Sequence, residues 1–283
     1  MRALVVLALL SNACGPCVEV ITVPEATAPV LGPKFAAPCV PTDGHGCSFT
    51  LPSDGNPAPV SQLNNLRLMP MGDDFVTDAA AADGNGSYRV EVWTRARADN
   101  FFITFVGSNT LGPGGDYLGV GDSSTIGSNK EEGHPGYTIQ NLFDSLNSYQ
   151  QITEFQPDVV SLMIGSQDLL GSYDMGVAES AYTTMLDKVL SDGVGQSRIF
   201  GDSVVFVCTL FYQNKSGTHA PNSAVDAFNA FLVTLVATRP RAKLVDTHAA
   251  LNYPGDFTSG GIYPTTAGNV KYGDAIYNAL KAL

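Results

Sequence analysis

Two segments of this chain are apolar at nearly every position, and they constrain its fold more than any other feature. Asp158–Ile164 has the sequence DVVSLMI, and Ser203–Leu210 has the sequence SVVFVCTL. Strands that helices cover on both faces are apolar throughout, whereas strands with one face in water alternate apolar and polar residues. Both segments therefore predict strands in the interior of a parallel sheet.

Further strand and helix patterns alternate with these two segments from Leu66 onward. The other strands are predicted at Leu66–Met71, Phe101–Val106 and Ala242–Val245. The helices are predicted at Tyr88–Ala98, Ile139–Phe155, Glu179–Leu190, Ala224–Ala237 and Gly268–Leu283. Strands and helices in alternation predict an α/β fold, a three-layer α/β/α sandwich around a parallel five-stranded sheet.

The first 65 residues differ from the rest in composition and sequence pattern. Residues 1–17 combine one positive residue, an apolar stretch at Ala3–Leu10 and small residues before Cys14. This pattern indicates either a secretory signal or a buried N-terminal strand. Residues 18–65 are rich in Pro, Ala, Val and Thr, which predicts an extended arm preceding a main domain at residues 66–283.

Cysteine usage indicates an oxidising compartment. Four of the five cysteines fall in the first fifth of the chain: Cys14, Cys17, Cys39 and Cys47. We expect a disulfide between Cys39 and Cys47, because a short turn-forming loop can close it. The Cys14-x-x-Cys17 spacing also suits redox or zinc chemistry, but no second ligand pair at zinc spacing accompanies it. Cys208 is predicted to be a buried free thiol, and the protein to be secreted or at the cell surface.

Charge and hydropathy exclude two classes of partner. The net charge is −12 and the pI about 4.5, with no basic stripe, so we expect no nucleic-acid partner. The apolar stretch at Ala3–Leu10 is too short to span a bilayer, and no other segment suits a membrane span. No cofactor is predicted.

The loops that follow the predicted strands are the candidate site, because parallel sheets bind ligands outside the carboxyl ends of their strands. With their flanking strands they contain the stretches RLMPMGDD, FVGSNTLG, EEGHPGYTI, PDVVSLMIGSQD, DSVVFVCTLF and GGIYPTTAGNVKYGDAIYNAL. In this order, from Leu66 to the C-terminus, the stretches resemble the SGNH (GDSL-type) hydrolases. Within that superfamily the chain resembles the carbohydrate-esterase branch that includes acetylxylan esterases. The resemblance implies an SGNH/flavodoxin-like fold.

The resemblance also implies a set of functional positions, and most of them are altered here. The family has a serine after Gly-Asp, a glycine and an asparagine that donate to the oxyanion, and an Asp-x-x-His pair near the end. The serine position holds Asp74, and the glycine is retained as Gly136. Gln167 replaces the asparagine, and Gly260 and Tyr263 replace the aspartate and the histidine.

These replacements predict a protein that does not hydrolyse esters. A carboxylate at Asp74 is a poor nucleophile toward an ester, and the phenol of Tyr263, with a usual pKa of about 10, is no base at neutral pH. We therefore expect binding of a glycan or a protein partner, or a structural role in an extracellular assembly, which includes a homo-oligomer formed through the arm. The alternative is an active esterase or deacetylase on acetylated carbohydrate that uses displaced residues, with His134 and His248 as candidate bases.

Six residues are predicted to line the binding site: Asp73, Asp74, Tyr137, Gln167, Asp168 and Tyr263. The three aspartates and the amide oxygen of Gln167 have the ligand chemistry of a Ca²⁺ site. The stronger interpretation is that Asp73 and Asp168 cap helices or accept from loop amides, so no metal is predicted. We also expect a hydrogen bond between Asp74 and Tyr263 that joins their two loops.

Overall fold

The computed structural model describes the greater part of the chain after residue 65. The described residues are 66–77, 87–99, 101, 103–109, 130–170, 174–212, 214–215, 218–219, 222–258, 261 and 263–283. The signal or N-terminal strand, the arm, the Cys39–Cys47 disulfide and Gly260 lie outside these residues and stay predictions.

A six-stranded parallel sheet forms the centre of the fold. Its strands are β1 (Leu66–Gly72), β2 (Ile103–Phe105), β3 (Glu132–Gly133), β4 (Val159–Met163), β5 (Val204–Cys208) and β8 (Ala242–Val245). The order is β2-β1-β4-β5-β8, with β3 paired to the carboxyl end of β1. The five predicted strands are confirmed. A separate antiparallel pair joins β6 (Asn214–Lys215) to β7 (Thr218–His219).

The sheet is buried on both faces, as its apolar strands require. Every residue of β4 is buried. The helices are α1 (Ser87–Ala98), α2 (Ile139–Tyr149), α3 (Gln151–Phe155), α4 (Met175–Asp192), α5 (Asn222–Val236), α6 (Thr247–Ala250) and α7 (Thr266–Lys281). α1 packs against α7, whereas α4 packs against α2, α3 and α5, so the helices form two groups, one for each face. This arrangement confirms the predicted α/β architecture.

Asp158 fixes the relative positions of β1 and β4 at the start of both strands. One carboxylate oxygen accepts from the backbone N–H of Arg67 at 2.8 Å. The other accepts from the hydroxyl of Ser197 and the N–H of Arg198, both at 2.9 Å. Asp158 is fully buried. Because a buried carboxylate needs such donors, these hydrogen bonds hold the register that aligns the carboxyl ends of the strands.

The prediction of one helix over Ile139–Phe155 is wrong. Gln150 has φ 52° and ψ 38°, in the left-handed region, and separates α2 from α3. In an unbroken helix Ile152 would lie six residues beyond the buried Leu146, rotated by roughly 240° from it and facing away from the core. Instead Ile152 is fully buried. The break therefore returns an apolar side chain to the core.

Cys208 is a buried free thiol, as predicted. It lies on β5, 3.7 Å from the hydroxyl of Ser161, and burial raises the pKa of its thiol to about 12. Within the described residues, no helix combines the length and apolarity that crossing a membrane requires.

Candidate functional site

Gly72 ends β1 with a turn that only glycine accommodates. Its φ is +153°, and a Cβ there would collide with the carbonyl oxygen of Met163 on the neighbouring strand. The N–H of Asp73 then donates to that same carbonyl oxygen at 3.2 Å. This close approach of two backbones places Asp73 and Asp74 at the carboxyl edge of the sheet, where the sequence predicts the site.

Asp73 lies beneath the site and joins two loops. One carboxylate oxygen accepts from the N–H of Phe75 at 3.2 Å. The other accepts from the hydroxyl of Ser166 at 2.6 Å and from its N–H at 3.2 Å. Because Asp73 is fully buried, its pKa rises to about 7, although these donors oppose the shift. Its role in accepting from loop amides is confirmed.

Asp74 is half-buried, and its hydrogen-bond partner belongs to the loop after β4. Its carboxylate accepts from the side-chain amide of Gln167 at 2.5 Å. The predicted hydrogen bond from Asp74 to Tyr263 is wrong: none joins them, because the Gln167 amide provides the donor instead. Tyr263 packs edge-on against Phe75, with ring centroids 6.2 Å apart.

The phenol of Tyr263 is protonated at neutral pH. Burial raises its pKa above the usual value, and the carboxylates of Asp74 and Asp73 raise it further. Since a general base must be deprotonated to accept a proton, Tyr263 lacks the property that the histidine of the family supplies.

Asp168 caps helix α2. Its carboxylate accepts from the N–H of Ile139, the first residue of that helix, at 3.0 Å. Burial raises the pKa of Asp168. The carboxylates of Asp73, Asp74 and Asp168 thus have three different sets of partners, and the described residues contain no group of three or more His, Cys, Asp or Glu side chains that could hold a metal ion.

The loop after β3 carries Gly136 and a stacked pair of rings. Gly136 is exposed, with φ +78° and no atom near the position of a Cβ. The ring of the following Tyr137 stacks on His134, with centroids 4.4 Å apart and planes 11° from parallel. The stack fixes the orientation of the Tyr137 ring, which is half-exposed.

Two residues that the sequence analysis did not single out hold His134. Its Nε2 lies 2.8 Å from the carboxylate of the buried Glu132, and its Nδ1 lies 3.4 Å from the amide nitrogen of Asn109. The second carboxylate oxygen of Glu132 accepts from the N–H of Ser108 at 2.9 Å. The Glu-x-His spacing was the available signal, since alternate residues of an extended segment share a face.

Neither candidate base is bonded to a nucleophile. His248 has its Nδ1 2.9 Å from the carbonyl oxygen of Leu210. The hydroxyl of Ser166 is buried and donates to Asp73. Among the residues that the structure describes, no hydroxyl or thiol is hydrogen-bonded to a ring nitrogen of His134 or His248. The Ser–His arrangement of an acyl-transfer site is therefore not formed by these residues.

The fold and the order of these loops define a class of protein. The family model for GDSL-like lipases and acylhydrolases matches residues 103–271. The chain belongs to this family. A comparison with curated proteins finds no match.

Solved structures with this fold include several carbohydrate esterases. A family 3 carbohydrate esterase of Clostridium thermocellum is 22% identical with a TM-score of 0.57, over 76% of this chain and 94% of that one. A family 3 carbohydrate esterase from Talaromyces cellulolyticus is 18% identical with a TM-score of 0.57, over 76% and 96%. Axe2, an acetylxylan esterase from Geobacillus stearothermophilus, is 19% identical with a TM-score of 0.51, over 75% and 93%. At these identities the likeness is one of fold.

Proposed function

We propose that this chain binds carbohydrate at the carboxyl edge of its sheet and does not hydrolyse esters at the family's site. The observation that carries the proposal is the bond between the carboxylate of Asp74 and the amide of Gln167 at 2.5 Å. The resemblance in sequence implies that Asp74 occupies the position of the catalytic serine. A carboxylate there sets a negative charge beside the oxyanion that develops in acyl transfer, which raises the barrier.

The proton chemistry supports the same conclusion. Acyl transfer needs a base that accepts a proton from the nucleophile, and the pKa of Tyr263 is raised, so its phenol remains protonated. Loss of the members of a catalytic triad removes several orders of magnitude in rate. We therefore expect no turnover of esters above the spontaneous rate.

Carbohydrate as the ligand is supported by the similar structures and by the exposed residues of the site. Those structures carry the names of carbohydrate and acetylxylan esterases. Tyr137 offers an aromatic ring that His134 already orients, at little further cost in side-chain entropy. Asp73 is buried, whereas the other predicted binding residues retain exposed area: Asp74, Tyr137, Gln167, Asp168 and Tyr263.

Two assays on the purified chain test the proposal. Turnover of p-nitrophenyl acetate and of acetylated xylo-oligosaccharides is measured for the wild type and for Asp74→Ala. We expect the rate of both proteins to equal that of the buffer blank. Binding on a glycan array is compared for wild type, Tyr137→Ala and Tyr149→Ala, a control at a tyrosine that is 70% exposed. We expect Tyr137→Ala alone to weaken binding, by about tenfold. Enzyme-like turnover that Asp74→Ala abolishes would refute the proposal.

Ester hydrolysis by displaced residues is a second candidate, and one observation favours it. The buried carboxylate of Glu132 orients the ring of His134 at 2.8 Å, as a carboxylate orients a catalytic histidine. The other ring nitrogen faces the amide of Asn109 rather than a hydroxyl. Turnover that His134→Ala abolishes and Asp74→Ala leaves unchanged would establish this function in place of the first.

A further inference from the structure

A second pocket opens at the carboxyl edge of the sheet, beside the family's site. It has a volume of about 180 Å³, and it is lined by Phe211, Tyr212, His248, Leu251, Asn252, Tyr253 and Phe257. The pairing of β5 with β8 places the loops after these two strands side by side. The ring of Phe211 lies between the pocket and the family's site, with its centroid 5.4 Å from that of Phe75.

The described residues of the lining carry no carboxylate, ammonium or guanidinium group. The acidic residues near it are bonded elsewhere. Asp226 accepts from the hydroxyl of Tyr212 at 2.7 Å, and Asp256 accepts from the ammonium of Lys271 at 2.7 Å. Because a charged ligand would lose its hydration without gaining an opposite charge, this pocket suits a neutral ligand.

His248 presents a hydrogen-bond acceptor at the pocket. A carbonyl oxygen only accepts, so the contact at 2.9 Å from Nδ1 to the carbonyl of Leu210 places the proton of the neutral ring on Nδ1. Nε2 then carries a lone pair, and within the described part of the chain it has no hydrogen-bond partner. Tyr212 packs edge-on against the ring at 4.4 Å and fixes its orientation.

The remaining walls combine aromatic rings with polar groups. Tyr212 and Tyr253 are nearly perpendicular, at 87° and 6.0 Å between centroids, and Asp226 holds the first of them in place. The side chains of Asn252 and Tyr253 add an amide and a phenol that have no hydrogen-bond partner among the described residues. Apolar ring surface with a few donors and acceptors is the lining that binds a ring bearing hydroxyl groups.

The volume limits the size of that ligand. A pocket of about 180 Å³ that opens to solvent accommodates one sugar ring, and further rings of a glycan would extend outside it.

We propose that this pocket binds a single neutral sugar ring, such as the terminal residue of a glycan. The ring packs against Tyr212 and Tyr253, and one of its hydroxyls donates to Nε2 of His248. The ligand class rests on the proposed carbohydrate-binding function, whereas the location is independent of the Asp74 site.

The test uses the full chain and the methyl glycosides of xylose, glucose, galactose and N-acetylglucosamine. Uracil and adenine are included as planar neutral ligands of a different class. Binding is measured by saturation-transfer NMR and titration calorimetry. Tyr253→Ala removes a wall of the pocket, and His248→Phe keeps a ring while removing the acceptor. Tyr149→Ala is the control, at an exposed tyrosine that does not line the pocket.

We expect one or more glycosides to bind, with His248→Phe about tenfold weaker, Tyr253→Ala weaker still and Tyr149→Ala unchanged. Thermal unfolding verifies that each variant is folded. Glycoside binding that Tyr137→Ala abolishes, and that Tyr253→Ala and His248→Phe leave intact, would overturn this inference but preserve the proposed function. Binding of uracil or adenine in preference to every sugar would overturn the ligand class. Failure of the folded wild type to bind any methyl glycoside would overturn this inference, whereas the proposed function is decided separately by the glycan array.

Discussion

Replacing Asp73 by asparagine should make the stability of the protein much less dependent on pH. The carboxyl of Asp73 is fully buried, and its pKa is raised from 3.8 to about 7. Because the folded-state pKa lies above the unfolded one, the folded chain keeps a proton between these two values that the unfolded chain releases. The free energy of unfolding of the wild type therefore falls as pH rises through this window, and the fall ends above about pH 7.

The size of the effect follows from the width of the window. Each pH unit is worth about 1.4 kcal/mol, and roughly two units lie between pH 5 and the folded-state pKa. From about pH 5 to about pH 8, Asp73→Asn should therefore gain roughly 3 kcal/mol of stability relative to the wild type. The side-chain amide of the variant also points an N–H group at the backbone N–H of Phe75 or Ser166. This repulsion lowers the stability of the variant by an amount that does not vary with pH.

Urea unfolding of both proteins at several pH values measures this difference. The control is Asp256→Asn, whose carboxylate accepts from Lys271, an ion pair that lowers its pKa. Asp256 is ionised in both states above about pH 5, so its variant should lose the same free energy across the whole range. Parallel pH profiles for the wild type and Asp73→Asn would show that the Asp73 carboxyl is not desolvated as described.

Three further predictions concern other parts of the fold. Gly72→Ala should lower the free energy of unfolding in urea by at least about 3 kcal/mol more than Gly195→Ala does. Both glycines have a positive φ, but only at Gly72 would the added Cβ collide with the backbone of a neighbouring strand. Equal losses would contradict this reasoning. Arg89→Met should lower the free energy of unfolding by about 3–5 kcal/mol, because it removes the guanidinium that lies 3.3 Å from the buried carboxylate of Glu131. Adding Glu131→Gln should recover part of this loss in a double-mutant cycle. Cys208, with a pKa of about 12, should resist iodoacetamide in the native protein and react in concentrated urea, as peptide mass spectrometry would show, and native labelling would contradict its burial.

The sheet was predictable because its signal is local. The apolar runs of β4 and β5 identified interior strands, and alternation with helices then required a parallel sheet. The pairing of β3 was not predictable, since Glu132–Gly133 has neither length nor apolar character. It exists because β2 pairs only with the first part of β1, which leaves Met71 and Gly72 open to another segment.

The placement of the candidate residues at one edge of the sheet was predictable, and their contacts were less so. The carboxyl ends of parallel strands lie at one edge, which brings the loops of Asp74, Gln167 and Tyr263 together. Which partner a side chain selects depends on distances of a few tenths of an ångström between loops, and no sequence pattern encodes them. Asp74 consequently bonds to Gln167 rather than to Tyr263, whereas the Glu-x-His spacing was a local signal for the contact of Glu132 with His134.

The parallel sheet also determines the order in which this protein can assemble while it is being synthesised. β1 lies between β2 and β4, and the contact of Arg67 with Asp158 joins residues 91 positions apart. At about 5–20 residues per second, a ribosome needs on the order of 5–20 seconds to deliver that partner. During this interval the apolar strand β1 has one edge unpaired in the nascent chain and is prone to aggregate. The yield of folded protein should therefore depend on chaperones more than its final stability would suggest.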